Sequence, residues 1–420
     1  MALDFVDLDR AVKAASEAAG SVDWIEAGTP LIKSEGLDAV RQLRRLFPRK
    51  VIVADMKVMD AGRLEVEAAA KAGADVVDVC AAASEATIRE CVEAGRNYGA
   101  KIMVDLIGVE DAVGKAKLAE RLGADYVAVH TAIDEQMQSK TPFSKVKAVA
   151  EAVGIPVAAA GGLNSESVVD AVDAGARILI VGGAVTKAAD AKAAARAIRK
   201  AADSGRKVKS DLYRRGVDVK AILSGVSAAN VSDAMHRGGN LAGLNPLAVG
   251  YRACGPAVTV RTYPGDWAKP VEAIDVAEPG DVLVITAGGV GPAVWGELAT
   301  ESAAKRGLAA VVVDGAVRDT DEIRKLKFPV YSRLRTPAAG EPRGFGEINV
   351  PIQVGEVKVR PGDWVLCDGD GVVVVPKENA VEVANRAQDV LERENRIRDE
   401  IRGGGSLGKV THLLKWEKKA

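Results

Sequence analysis

From residue 2 to about residue 182 the chain alternates short apolar runs of β type with alanine-rich helical stretches. The runs are Ala2–Val6, Val22–Ala27, Val51–Lys57, Asp75–Cys80, Lys101–Leu106, Asp125–His130, Pro156–Ala160 and Arg177–Val181, eight in all. Between them Lys71-Ala-Gly-Ala-Asp75, Arg121-Leu-Gly-Ala-Asp125 and Asp173-Ala-Gly-Ala-Arg177 recur, each placing a glycine where a helix stops and a strand begins. Their spacing of about fifty residues is that of two strand–helix units. Eight units predict a closed (β/α)8 TIM barrel over residues 1–205. A doubly wound open sheet is the competing architecture, but Asp4-Phe-Val-Asp-Leu-Asp9 stands where its glycine fingerprint would follow the first strand.

The rhythm then changes. Asp203–Gly216 is short, basic and polar, and residues 206–216 read as an exposed connection between domains. A nucleic-acid patch is the sharper reading of those charges, but aromatic platforms are missing. Residues 217–420 mix β-type runs with helices as a second, α/β domain. Pro-Gly-Asp turns at Pro264, Pro279 and Pro361 each lie beside such a run, notably Val282–Ile285 and Val372–Val375. The tail from Lys377 to Arg402 is a strongly charged helix, broken at Gly403-Gly-Gly-Ser-Leu-Gly408 and expected to pack through one face or to make oligomer contacts.

Composition narrows the class. Hydrophobic residues reach 48% while aromatics are only 4%, and there are 43 glycines, which suits small-residue helices on buried parallel strands. A formal net charge of -1 suggests no direct nucleic-acid partner. Cys80, Cys91, Cys254 and Cys367 are scattered without a metal-ligand spacing, so a reducing compartment is the simpler reading. No run is long and apolar enough to span a bilayer, and Met-Ala-Leu-Asp opens no secretory leader, so a cytoplasmic protein without a membrane partner is expected.

In a parallel barrel, reacting groups belong at the C-terminal ends of the strands. Standing there are Asp4, Glu26, Asp55 with Lys57, Asp105 and His130. In Val51-Ile-Val-Ala-Asp-Met-Lys-Val-Met-Asp60 a period of two puts Asp55 and Lys57 on the face of Val51 and Val53, with Asp60 just beyond the strand. A lysine among carboxylates stays protonated and can stabilise a substrate anion; the plain alternative is a surface turn with an ordinary Asp–Lys pair. Glu26 and Asp55 on adjacent strands suit Mg²⁺, or else belong to a salt-bridge network with Lys33 or Lys57. His130, one of three histidines with His236 and His412, can take or give a carbon-bound proton, although a lone histidine on an apolar run is more often a core residue. Gly161-Gly162 and Gly182-Gly183 follow the last two strands, where bare backbone N–H groups can bind phosphate; tight turns are the alternative.

Ala2-Leu-Asp4, Ile25-Glu-Ala-Gly-Thr-Pro30, Ala54-Asp-Met-Lys-Val-Met-Asp-Ala-Gly62, Val129-His-Thr131, Ala160-Gly-Gly162 and Ile180-Val-Gly-Gly183 together resemble 3-hexulose-6-phosphate synthase over about residues 1–205. That family belongs to the orotidine-monophosphate decarboxylase superfamily, whose Asp-x-Lys-x-x-Asp motif matches Asp55, Lys57 and Asp60. The resemblance implies Mg²⁺-dependent (or Mn²⁺-dependent), reversible aldol addition of formaldehyde to D-ribulose 5-phosphate. Glu26 and Asp55 would be metal ligands, His130 would move the C1 proton, and Lys57, held by Asp55 and Asp60, would stabilise an enediolate. Asp4 would orient a substrate hydroxyl or Lys57, or only make a structural hydrogen bond. The last Asp of the motif reaches a neighbouring subunit in this superfamily, which implies a dimer. The sister 3-keto-L-gulonate-6-phosphate decarboxylase is the alternative, but the arginine it carries after the histidine is missing from His130-Thr-Ala-Ile-Asp134.

In the second half, Thr286–Glu297 follows a strand and opens a helix, and its Gly288, Gly289 and Gly291 offer N–H groups to an anion. Ala309–Asp319 ends another strand with Arg318, suited to a carboxylate, and Asp319, suited to a metal; a surface ion pair is the alternative. With Gly296-Glu-Leu298, Glu347-Ile-Asn-Val-Pro351 and Asp368-Gly-Asp-Gly-Val-Val-Val-Val-Pro376, these motifs resemble the RraA-like family over about residues 217–400. That family includes trimeric ribonuclease regulators and divalent-metal aldolases or decarboxylases of oxo acids. Glu297, twenty-one positions before Arg318, stands where the aldolases usually carry Asp. The resemblance thus implies either a second divalent-metal site at Glu297, Arg318 and Asp319 or a ribonuclease-binding module.

Overall fold

A computed structural model describes residues 1–209 and 216–411. Residues 210–215 of the expected connection, His412 and the rest of the tail lie outside the described residues. By compactness the chain divides into Met1–Arg214 with Glu392–Ala420, and Arg215–Leu391. The sequence reading gave the whole charged tail to the second domain. Instead the helix Ala380–Arg402 begins in the second unit, and its residues from Glu392 on group with the first.

The first unit is an eight-stranded parallel sheet in sequence order: β1 (Ala2–Leu3), β2 (Trp24–Ala27), β3 (Val51–Val58), β4 (Val76–Cys80), β5 (Lys101–Asp105), β6 (Tyr126–His130), β7 (Val157–Ala160) and β8 (Ile178–Ile180). The Ala2 N–H donates to the Val181 carbonyl at 2.9 Å, which closes the sheet into a barrel. Strand alternation then sorts side chains into two layers. Outward residues such as Leu3, Ile25, Ile52, Val77 and Ile102 pack with alanines of the surrounding helices, among them Ala11, Ala14, Ala15 and Ala18 of helix α1 (Leu8–Ala18). Alanine faces let the helices lie close to the strands, and the buried methyl groups supply the driving force at roughly 25 cal/mol per Å². Inward residues Val53, Val76, Met103, Ala128 and Ala158 fill the barrel, with Trp24 and Tyr126 edge-to-face at 5.4 Å. Two residues further along the same inward register come Glu26, Asp55, Asp78, Asp105 and His130. The apolar floor and the polar mouth are thus one alternation read in two directions.

The second unit is built on four parallel strands, in the order Ala253–Arg261, Val282–Thr286, Ala310–Val317 and Val330–Arg335. Antiparallel strands Trp364–Asp368 and Gly371–Val375 extend one side and Asn245–Pro246 the other. A short strand, Ala293–Trp295, intervenes between the glycine run and the helix Glu297–Arg306, so the run does not open that helix directly. The central strands are apolar nearly throughout, as strands buried on both faces must be. Among the described residues no helix is long and apolar enough to cross a membrane.

Candidate active site

The barrel mouth is arranged around Lys57. Its Nζ lies 2.5 Å from Asp55 Oδ1, 2.8 Å from Asp105 Oδ2 and 3.6 Å from Asp78 Oδ1. The strict period of two does not carry it there. The register shifts between Ala54 and Val58, and Lys57 takes a left-handed backbone with φ of 48°, so a bulge re-aims its side chain over the barrel axis. Burial alone would lower the Lys57 pKa, but the charges of Asp78, Asp105 and Asp55 outweigh it and hold the ammonium well above the ordinary lysine range. Asp60, expected to hold Lys57 from beyond the strand, is exposed; its carboxylate accepts the Ala61 N–H at 2.7 Å. Within the chain the role given to Asp60 falls to Asp105 and Asp78, which the barrel's curvature carries next to β3.

Asp105 is 1% exposed and links lysine to histidine. Its Oδ2 meets His130 Nδ1 at 3.0 Å as well as Lys57, and its Oδ1 accepts the Ile107 N–H at 2.9 Å. Burial pushes its carboxyl up, but the His130 hydrogen bond and the Lys57 charge outweigh burial and keep it below the usual range. An ionised acceptor at Nδ1 fixes the tautomer with the proton on that nitrogen, leaving Nε2 of neutral His130 as a base. Asp78 is the opposite case: burial pushes it well up, and its Oδ1 has no hydrogen-bond partner.

Asp55 Oδ2 also accepts from the Thr29 hydroxyl at 2.8 Å, so this carboxylate does join a network with Lys57. Glu26 is different. Among the described residues none donates a hydrogen bond to its carboxylate, and burial, then the Asp55 charge, push it up to about 8. A carboxylate without a donor beside a second carboxylate on the neighbouring strand fits a divalent cation that takes water and substrate oxygens for its other positions. No group of three or more His, Cys, Asp or Glu among the described residues is arranged to hold a metal from protein donors alone.

Asp4 lies between two loops at the mouth. A Cβ on Gly28 would fall 2.3 Å from its Oδ1, and one on Gly182 would fall 3.1 Å from its Oδ2. Burial, then Asp55, raise its pKa. Gly161, at φ of 96°, turns so tightly after β7 that a Cβ would meet the Thr131 carbonyl at 2.4 Å. Gly183 opens the single turn Gly183–Thr186 after β8, and a Cβ there would lie 3.5 Å from Lys187 Nζ. Asp78, Thr29 and Lys187 escaped the sequence reading. Asp78 left a signal, a charged residue at an inward position of the otherwise apolar Val76–Cys80; Lys187 left none.

In the second unit the structure brings Arg318 and Asp319 together beside the backbone of Glu297. Asp319 Oδ2 accepts the Glu297 N–H at 3.3 Å and lies 3.4 Å from Arg318 Nε, with both side chains half exposed. Gly288 and Gly289 do not join them. Gly289 packs against an unforeseen pair, buried Asp314 with half-buried Arg333 Nε at 2.6 Å, which the Thr286 hydroxyl completes at 3.1 Å. Gly291 precedes the cis Pro292.

A barrel with a lysine–carboxylate–histidine mouth, joined to a mixed-sheet domain, defines a two-domain α/β protein with the groups of acid–base chemistry at the barrel mouth. The orotidine 5'-phosphate decarboxylase / HUMPS family model matches residues 1–198, and the Aldolase/RraA model of the RraA-like family matches residues 228–374. The 3-hexulose-6-phosphate synthase of Mycobacterium gastri is 39% identical over 201 residues, 48% of this chain and 97% of that protein. That of Methylomonas aminofaciens is 41% identical over 196 residues, 46% of this chain and 94% of that protein. A crystal structure of Streptomyces coelicolor RraAS2, described as an unusual member of the RNase ES inhibitor RraA protein family, is 30% identical. It covers 44% of this chain and 98% of its own, with a TM-score of 0.40. The chain belongs to the orotidine 5'-phosphate decarboxylase / HUMPS family through its N-terminal half, with 3-hexulose-6-phosphate synthases as relatives there, and carries an RraA-like domain in its C-terminal half.

Proposed function

We propose that the barrel is a 3-hexulose-6-phosphate synthase, a carbon–carbon lyase that reversibly adds formaldehyde to D-ribulose 5-phosphate. The observation that carries this reading is the continuous contact from Lys57 through Asp105 to His130. His130 Nε2 removes the C1 proton of the ketose, and the resulting enediolate is stabilised by the fixed charge of Lys57. C1 then bonds to the formaldehyde carbon, whose oxygen takes a proton. Glu26 and Asp55 would hold Mg²⁺ or Mn²⁺, which when bound supplies Lewis-acid polarisation of the ketose carbonyl. Gly161, Gly162, Gly182 and Gly183 hold the phosphate through backbone N–H groups, and Asp4 orients a hydroxyl. Asp60, exposed beyond β3, serves the neighbouring barrel of a dimer.

The test is formaldehyde consumption with ribulose 5-phosphate and Mg²⁺. Lys57→Ala is expected to lower it by about 10³-fold, the scale of losing one preorganised charge at an oxyanion, and a chelator to abolish it. No consumption, with carbon dioxide released from 3-keto-L-gulonate 6-phosphate, would make the barrel the sister decarboxylase.

For the RraA-like domain we infer metal-dependent aldol cleavage or decarboxylation of an oxo acid, supported by Arg318 and Asp319 meeting beside the backbone of Glu297. Arg318 would take the substrate carboxylate and Asp319 a divalent metal. Carbon dioxide release from oxaloacetate with Mg²⁺, lost in Arg318→Ala, is the expected result. No release, with binding to a ribonuclease that survives the same substitution, would favour the regulator.

A further inference from the structure

The last described residues return to the barrel. Arg396, largely buried, donates from Nη1 to the Ala188 carbonyl at 2.7 Å, and its Nε lies 3.2 Å from Glu400 Oε1. The same Glu400 oxygen lies 3.1 Å from Arg10 Nη2. Arg10 in turn donates to the Val410 carbonyl at 3.4 Å and sits 5.9 Å from the ring centroid of Phe5, the residue after Asp4.

Ala188 closes the turn that Gly182 and Gly183 open. The Gly182 carbonyl accepts from Val185 and Thr186, the Gly183 carbonyl from Lys187, and the Ala188 N–H reaches back to Val185. A single helical turn is not stable by its own hydrogen bonds, because nucleation fixes more dihedrals than those bonds offset. Its place must come from tertiary contacts. Arg396 supplies one at the end opposite the glycines, through a planar fork whose second arm is tied to Glu400.

We propose that Arg396 is a positioning residue for the phosphate-binding turn after β8, so that residues at the far end of the chain set the barrel's affinity for its phosphorylated substrate. This rests on the reading of Gly182–Gly183 as a phosphate site. Arg396 touches no substrate; it acts through Ala188, while Arg10 and Glu400 hold its guanidinium in register.

The experiment uses the full chain and formaldehyde consumption with ribulose 5-phosphate, with binding of the same sugar phosphate by calorimetry. Arg396→Ala is expected to raise KM for ribulose 5-phosphate about tenfold, the scale of one charge-assisted hydrogen bond. The kcat and the KM for formaldehyde are expected to stay within about twofold, since the groups over the barrel axis are untouched. Arg396→Lys, which can still donate to Ala188, is expected to recover part of the loss and guards against misfolding of the alanine variant. Arg398→Ala, on an exposed residue of the same helix, is expected to change nothing. An unchanged KM in both Arg396 variants, with or without a lower melting temperature, overturns the proposal and leaves the synthase reading intact. Wild-type protein that neither binds nor turns over ribulose 5-phosphate overturns both.

Discussion

At the scale of single residues, the mouth of the barrel is a problem in charge. Asp4, Glu26, Asp78 and Asp105 stand around Lys57 and His130, and their pKa values divide accordingly. Asp105, hydrogen-bonded to His130 and paired with the Lys57 charge, is pulled down, while Glu26, Asp4 and Asp78 are pushed up by burial. For Glu26 the sign follows directly. Its ordinary value is 4.5 and its folded value about 8, so between those limits the folded chain holds a proton that the unfolded chain has lost. Stability is therefore present below 4.5 and is lost as pH rises through about 8. Thermal melts without metal should show this decline, and Glu26→Gln should flatten it. Mg²⁺ should raise the melting temperature most at the alkaline end, where Glu26 is ionised; no metal effect at any pH would remove Glu26 and Asp55 as ligands. Asp105→Asn offers an amide where the His130 tautomer needs an anion. It should cut kcat by about 10²–10⁴-fold, the range of lost proton-transfer catalysis, with a smaller change in KM.

At the scale of elements, alternation along a strand explains both what could be read from the sequence and what could not. Val51 and Val53 announce an inward face, and Asp55 continues it into the site. The rule fails two residues later, because a bulge has no compositional mark when the residue taking the left-handed backbone is a lysine rather than a glycine. Asp78 was legible in principle, as a charge at an inward position of an apolar strand. Asp314 and Arg333 were not: they meet only because Val330–Arg335 pairs in parallel with Ala310–Val317, a strand order that periodicity does not encode. The outward layer is held by packing alone, which allows a direct check. Ile52, fully buried between strand and helices, should cost about 2–5 kcal/mol when replaced by alanine. That loss should appear as a lower barrel melting temperature, with the kinetics of the remaining folded protein unchanged.

At the scale of the whole molecule, the boundary between the two units is crossed more than once. The helix Ala380–Arg402 contributes Ala380, Val383, Ala384 and Ala387 to a core in the second unit, and its residues from Glu392 on group with the first. An amphipathic pattern reveals that a helix has a buried face but not what buries it, so the sequence could place this helix without assigning its ends. A chain stopped after Leu391 loses the Arg10–Glu400 pair and the Arg396 bond to Ala188. It should melt at a lower temperature in the barrel transition while the transition of the second unit keeps its place; an unshifted barrel transition would count these contacts as incidental.

The same arrangement has a consequence in time. Synthesis proceeds from the N-terminus, so all eight strands of the barrel leave the ribosome before Arg396 has been translated. The partners of Arg10 and Ala188 do not yet exist while the second unit is being made. The first unit to begin folding is the last to be completed, and the turn Gly183–Thr186 gains its contact through Ala188 only when Arg396 arrives.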